Sequence, residues 1–160
     1  MMTLKFTLLP VVAVGALVAP LPGTIAVPAA QAQQVPPYYV GAGVRAGFND
    51  STSFVIDSKA QIVELGARTT LSVRPSLVFD SSTELRLPIS VDYALDQALY
   101  PYAGAGVAYN ADGRSAVDPM VTAGLDWGIT RRVVIDINGS VLFKPGDTDT
   151  EITATINYAF

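Results

Sequence analysis

The chain has 160 residues and a formal net charge of -4; half of it is hydrophobic, yet only 15% is charged, against about a quarter in a typical soluble domain. It contains no cysteine and no histidine, which excludes disulfides, thiolate and imidazole metal sites, Ser-His-Asp triads and Cys-His pairs. One domain fits the length, and the acidic balance argues against a nucleic-acid partner, because nothing supplies a basic stripe for phosphates.

The first 32 residues read as a cleavable signal peptide. Lys5 is the only charge of a short n-region, an apolar stretch runs from Phe6 to Val18, and Ala30-Gln31-Ala32 has the A-x-A form of a cleavage site. Pro10 interrupts the stretch and Pro20, Pro22 and Pro28 follow it in the tail, so it falls short of the ~20 apolar residues that a spanning helix needs. Residues 33–160, starting at Gln33, are expected to form the folded domain.

From Tyr38 onward the residues alternate with a period of two, the signature of strands. Tyr38 to Phe48 carries Val40, Ala42, Val44 and Ala46 on one face, with Tyr39, Gly41, Gly43 and Arg45 on the other. Seven further segments alternate in the same way: Gln61 to Thr69, Leu71 to Asp80, Thr83 to Tyr93, Leu99 to Tyr109, Met120 to Ile129, Arg132 to Phe143 and Glu151 to Phe160. The links at Thr70, Ala94 to Ala98, Thr130-Arg131 and Ser81-Ser82 are short. Those at Asn49 to Ala60, Asn110 to Pro119 and Lys144 to Thr150 read as longer loops, rich in Asp, Ser, Thr and Gly.

Alternation alone does not say which face is outside. A soluble barrel buries its apolar face, and a membrane barrel turns that face to lipid. The aromatic residues favour the second arrangement. With neighbouring strands antiparallel, Tyr38, Tyr93, Trp127, Tyr158 and Phe160 fall at one set of strand ends, and Phe48, Phe79, Tyr109 and Phe143 at the other, all with apolar-face parity. Two aromatic girdles flanking a band of Val, Leu, Ile and Ala suit headgroup-level anchoring; a soluble core would set large rings mid-strand. The opposite face carries Arg45, Glu64, Arg68, Arg74, Glu84, Arg86, Asp92, Asp126, Arg132, Asp136 and Glu151. Inside a narrow barrel these must pair, since an unpaired buried charge is costly. Glycines on that face, Gly41, Gly43, Gly104, Gly106 and Gly124, are expected to leave room for the arginines.

Several features together resemble the small OmpA/OmpX-type outer-membrane β-barrels of diderm bacteria. They are the signal peptide, the segment Tyr102-Ala103-Gly104-Ala105-Gly106-Val107-Ala108-Tyr109, the strand Val121 to Ile129 with Asp126, and the terminal Thr155-Ile156-Asn157-Tyr158-Ala159-Phe160. The resemblance implies an all-β fold, an eight-stranded antiparallel up-and-down transmembrane barrel in the cell outer membrane. It implies lipids of that membrane as partners. It also implies recognition of Ile156, Tyr158 and Phe160 by the barrel-assembly machinery. Such barrels share shape more than function.

No motif points to catalysis or a cofactor. Gly41-Ala42-Gly43 and Gly104-Ala105-Gly106 echo dinucleotide fingerprints but open no helix. Asp147-Thr148-Asp149-Thr150-Glu151 alternates carboxylates as calcium loops do, without their central glycine. Glu84 and Asp92 suggest salt bridges to Arg74 and Arg86 rather than acid/base work. The enzymes of this shape, lipid A deacylases, palmitoyltransferases and omptin proteases, rely on histidine. The reading is therefore a non-enzymatic envelope barrel. Its alternatives are a small-conductance channel through a rearranged ion-pair network, a loop adhesin using Phe54, Val55 and Ile56, and a soluble barrel holding an apolar ligand.

Overall fold

The structure, a computed structural model, describes residues 36–48, 51–111 and 117–160. All of them belong to one unit, Gln31–Phe160. The expected signal peptide and the expected start at Gln33 lie outside the described residues.

Nine strands form one antiparallel sheet: β1 (Tyr38–Gly47), β2 (Ser53–Gly66), β3 (Thr69–Val73), β4 (Ser76–Phe79), β5 (Thr83–Tyr93), β6 (Leu99–Asn110), β7 (Val117–Gly128), β8 (Val133–Lys144) and β9 (Asp147–Ala159). Strands adjacent in sequence pair with each other, except β3 with β4, and β1 pairs with both β2 and β9, so the sheet closes on itself. β3 and β4 are two pieces of one stave. They pair successively with β2 and with β5, separated only by Arg74 and Pro75. Pro75 has no N–H to give, and Pro88 on β5 has none either. The carbonyls still serve: Ser58 N donates to Pro75 O at 3.0 Å and Arg74 N to Pro88 O at 2.9 Å. The ring therefore has eight staves, as the alternation predicts.

The distribution of side chains is inverted relative to a soluble protein. Val44, Leu87, Ile137, Ile152 and Ile156 are exposed, Ile156 to 66%. Facing inward are Arg45, Arg74, Arg86, Asp92, Asp126, Asp136 and Glu151, the last three fully buried. An apolar exterior around a polar interior is the transmembrane form of the barrel, and it removes the soluble ligand-binding reading.

The end where β1 begins and β9 finishes is called proximal below, and the other end distal. Tyr38, Tyr93, Trp127, Tyr158 and Phe160 are exposed at the proximal end, and Phe48, Phe79, Tyr109 and Phe143 at the distal end. Tyr38 and Phe160 stack across the β1–β9 seam with ring centroids 6.5 Å apart. Phe54 joins the distal group, 6.1 Å from Phe79.

The long loops expected at the distal end are largely strand. β2 begins at Ser53 and runs to Gly66, so Phe54, Val55 and Ile56 are sheet residues paired with β1 and β4, and the turn falls at Ala67-Arg68 rather than Thr70. β9 begins at Asp147, directly after a turn at Pro145-Gly146 in which Gly146 adopts φ 84°; glycine occupies that region without a Cβ penalty. The Asp147 to Glu151 segment is thus strand, with Asp149 and Glu151 pointing inward and Thr148 and Thr150 outward. β6 extends to Asn110 and β7 begins at Val117.

Candidate functional site

Among the described residues, the buried ionisable side chains gather in the interior. Strand parity brings one inward side chain from every second residue of eight staves to a common axis. The ionisable groups collect there in two layers.

The proximal layer is built around Arg74. Its Nη2 donates to Asp92 Oδ1 and to Asp126 Oδ2, each at 2.8 Å, and its Nη1 donates to the Tyr39 hydroxyl at 2.7 Å and to Asp126 Oδ1 at 3.2 Å. Nε donates to Ser90 Oγ at 2.9 Å. The guanidinium plane lies over the Tyr102 ring, 3.4 Å from its centroid, a stacking geometry open to arginine but not to lysine. Lys59 adds a second cation, 3.1 Å from Asp126 and 3.4 Å from Asp92. Tyr39 donates its hydroxyl proton to Asp126 at 2.9 Å. The Ser72 hydroxyl donates to Asp92, and Ser90 donates to it at 2.8 Å. Two further carboxylates in this half have neutral partners. Asp136 accepts from the Tyr102 hydroxyl at 2.8 Å and from Asn138 Nδ2 at 2.7 Å. Asp57 accepts from Thr155 Oγ1 at 3.4 Å.

The distal layer is built around Arg86 and Glu151. The two side chains pair through both guanidinium Nη atoms, Nη2 to Oε2 at 3.0 Å. Arg86 Nε reaches Glu84 at 2.6 Å, and Arg45 Nε lies 2.7 Å from Glu151. Lys144 pairs with Asp149 at 3.1 Å nearer the rim. A cavity of about 30 Å³ separates the layers, with Asp57, Arg74, Arg86, Tyr102, Thr122 and Asn138 among its walls. One water needs about 10–15 Å³ of such space, so the cavity has room for a few. Small apolar clusters flank the charges: Tyr39, Val134 and Ala159 proximally, and Ala108, Met120 and Leu142 distally.

Of the interior charges expected from the sequence, Arg45, Arg74, Glu84, Arg86, Asp92, Asp126, Asp136 and Glu151 are buried. Glu64, Arg68 and Arg132 are not; all three are exposed at the proximal end. Arg68 and Arg132 sit in turns, and Glu64 lies on the part of β2 that projects past the start of β1. Asp57, Lys59 and Asp149 are interior residues that parity within the expected strands did not include, because their segments read as loops. The glycines also act differently from the expectation. A Cβ at Gly41, Gly43, Gly104 or Gly106 would collide with carbonyl oxygens of the neighbouring strand, so these residues permit close strand approach in a small, strongly curved barrel. Gly124 makes room for a ring: a Cβ there would lie 2.7 Å from Tyr102 Cζ and 2.6 Å from Asn138 Cβ.

Chemically, the arrangement holds charges still. Arg74 spends its guanidinium donors on fixed acceptors, and Asp92, Asp126 and Glu151 are all engaged by cations. Among the described residues no group of three or more carboxylates is placed to hold a metal ion.

The sequence matches no protein-family model and no curated protein. The structure is similar to several solved barrels. A de novo designed transmembrane β-barrel superposes with a TM-score of 0.60 at 19% identity, covering 79% of this chain and 98% of the design. The N-terminal barrel domain of Pseudomonas aeruginosa OprF gives 0.56 at 13% identity, covering 77% and 96%. Ail, the attachment invasion locus protein of Yersinia pestis, gives 0.54 at 12% identity, with the same coverage. At these identities the likeness concerns architecture. The chain has the fold of the small eight-stranded OmpA/OmpX-type transmembrane β-barrels.

Proposed function

We propose that this protein is a non-enzymatic integral barrel of a bacterial outer membrane with a structural role in the envelope. The observation that carries this reading is the pairing of a lipid-compatible exterior with an interior closed by two ion-pair layers. A closed ring leaves no strand edge in the hydrocarbon, the condition for a sheet to cross a bilayer. The aromatic girdles at both ends match the two headgroup levels. The likeness to OprF and Ail supports the outer membrane as the location. Outer-membrane lipids are then the main partner. Ile156, Tyr158 and Phe160, outward on β9, are the residues offered to the barrel-assembly machinery.

The two ion-pair layers argue against steady conduction, because the cavity between them has room for only a few waters. The strand character of Ser53 to Ala60 argues against a loop adhesin built on Phe54, Val55 and Ile56. Production in a diderm host followed by fractionation tests the proposal. The protein is expected in the outer-membrane fraction, and to migrate differently on a gel before and after boiling. Recovery as a soluble protein without detergent would overturn it.

A further inference from the structure

The cations of the described residues divide into two sets. Arg45, Lys59, Arg74, Arg86 and Lys144 each form an ion pair with a carboxylate. Arg68, Arg131 and Arg132 are exposed, and among the described residues none of them has a carboxylate within ion-pair distance. All three belong to the proximal end. Two are adjacent, in the turn between β7 and β8. The distal end differs: its described cations Arg45, Arg86 and Lys144 are all paired, and Asp80 and Asp147 are exposed there, whereas the exposed acids of the proximal end, Glu64 and Asp96, lie outside ion-pair distance of Arg68, Arg131 and Arg132.

The surroundings of Arg131 and Arg132 are those of a headgroup level. Trp127 and Ile129 precede the turn and are 49% and 43% exposed, and Tyr158 on the adjoining β9 is 52% exposed. Arg132 Nη1 donates to the Tyr158 hydroxyl at 3.3 Å, and Ala159 N donates to Arg132 O at 2.9 Å, which ties the turn to the outward face of the barrel. Tryptophan and tyrosine prefer the zone where acyl chains meet hydrated headgroups. Guanidinium groups match phosphate oxygens in a two-pronged geometry. Uncompensated positive charge beside such rings fits a lipid with net negative charge better than a zwitterionic one.

We propose that Arg131 and Arg132, flanked by Trp127 and Tyr158, form a site for the headgroup of an anionic phospholipid in the leaflet around the proximal end. The inference rests on the transmembrane reading above and adds a lipid preference and its position. Trp127 is the only tryptophan in the chain, so its fluorescence reports on the lipid next to this turn. The purified protein is refolded into phosphatidylcholine vesicles containing brominated phosphatidylcholine or brominated phosphatidylglycerol. Bromine quenches tryptophan on contact. Both lipids are expected to quench, with phosphatidylglycerol favoured by roughly fivefold. The preference should shrink at high salt. It should vanish in the double variant Arg131→Gln, Arg132→Gln and persist in Arg68→Gln, whose turn lies four staves away around the ring. A boiling-dependent gel shift verifies that each variant is folded. Equal quenching by the two lipids, or a preference that survives the double variant, overturns the inference and leaves the barrel reading intact. No quenching by either lipid overturns both.

Discussion

The two ion layers contain the same kinds of residue and are wired differently. In the proximal layer one guanidinium contacts partners on β1, β5 and β7 and stacks on a ring from β6, so a single side chain ties together staves all around the barrel. In the distal layer two arginines from β1 and β5 share Glu151 on β9, so that carboxylate keeps one cation if the other is lost. The balance of charge also differs. Proximally, Lys59 and Arg74 face Asp57, Asp92, Asp126 and Asp136, an excess of two acids; distally, Arg45, Arg86 and Lys144 face Glu84, Asp118, Asp149 and Glu151, an excess of one. The contrast teaches that a polar interior can be held either by one hub or by overlapping pairs, and that the hub is the more fragile design.

Replacing the hub should therefore do the most damage. Arg74→Ala leaves Asp126 with Lys59 as its only cation, and the loss of one partner from a buried charge cluster costs about 3–5 kcal/mol. Its urea midpoint in lipid or detergent should fall furthest, or the boiling-dependent band should be lost. Arg86→Ala should cost less, about 1–3 kcal/mol, since Glu151 keeps Arg45 at 2.7 Å. Equal losses for the two variants would erase the distinction between the layers. Gly124→Leu tests the stacked ring: the added side chain displaces Tyr102 from beneath Arg74, and overpacking of this kind costs about 1–3 kcal/mol. Asp57→Asn sharpens the charge argument. It keeps the shape while removing one of the excess proximal carboxylates, and is expected to leave the urea midpoint unchanged or to raise it. Arg68→Gln, exposed on a turn, should stay within about 0.5 kcal/mol of the parent protein.

Most of the fold was legible because period-two alternation survives inversion of inside and outside. Leu85, Leu87, Ile89, Val91 and Tyr93 all face outward from β5, and Glu84, Arg86, Ser90 and Asp92 inward. The β2 strand was half hidden for a specific reason. Its pairing with β3 shifts register between Gln61 and Val63 and again between Glu64 and Gly66. A template anchored on outward Val63 and Leu65 places Lys59 and Asp57 outward as well, which no membrane strand tolerates, so the segment reads as a loop. The bulge between Gln61 and Val63 reverses the parity, so Lys59 and Asp57 face the interior while Val63 faces out. Asp149 was hidden by composition, since Asp and Thr in alternation look like a turn until the interior is known to be polar. For Arg68 and Arg132 the error is one of height: alternation assigns a side to a residue, but not whether the wall continues far enough to enclose it.

The hydroxyl of Tyr39 reaches Asp126 across 87 positions of sequence, and Thr155 reaches Asp57 across 98. Contacts between such distant parts of the chain reward only a nearly complete structure, because the entropy of bringing them together is spent before any bond forms. A half-assembled sheet can form the local pairs, such as Arg74 with Asp92, but not these two, which wait until the ring closes between β1 and β9. The polar centre thus works like a bolt that slides home only after the last stave is seated, and withdrawing it requires the seam to part first.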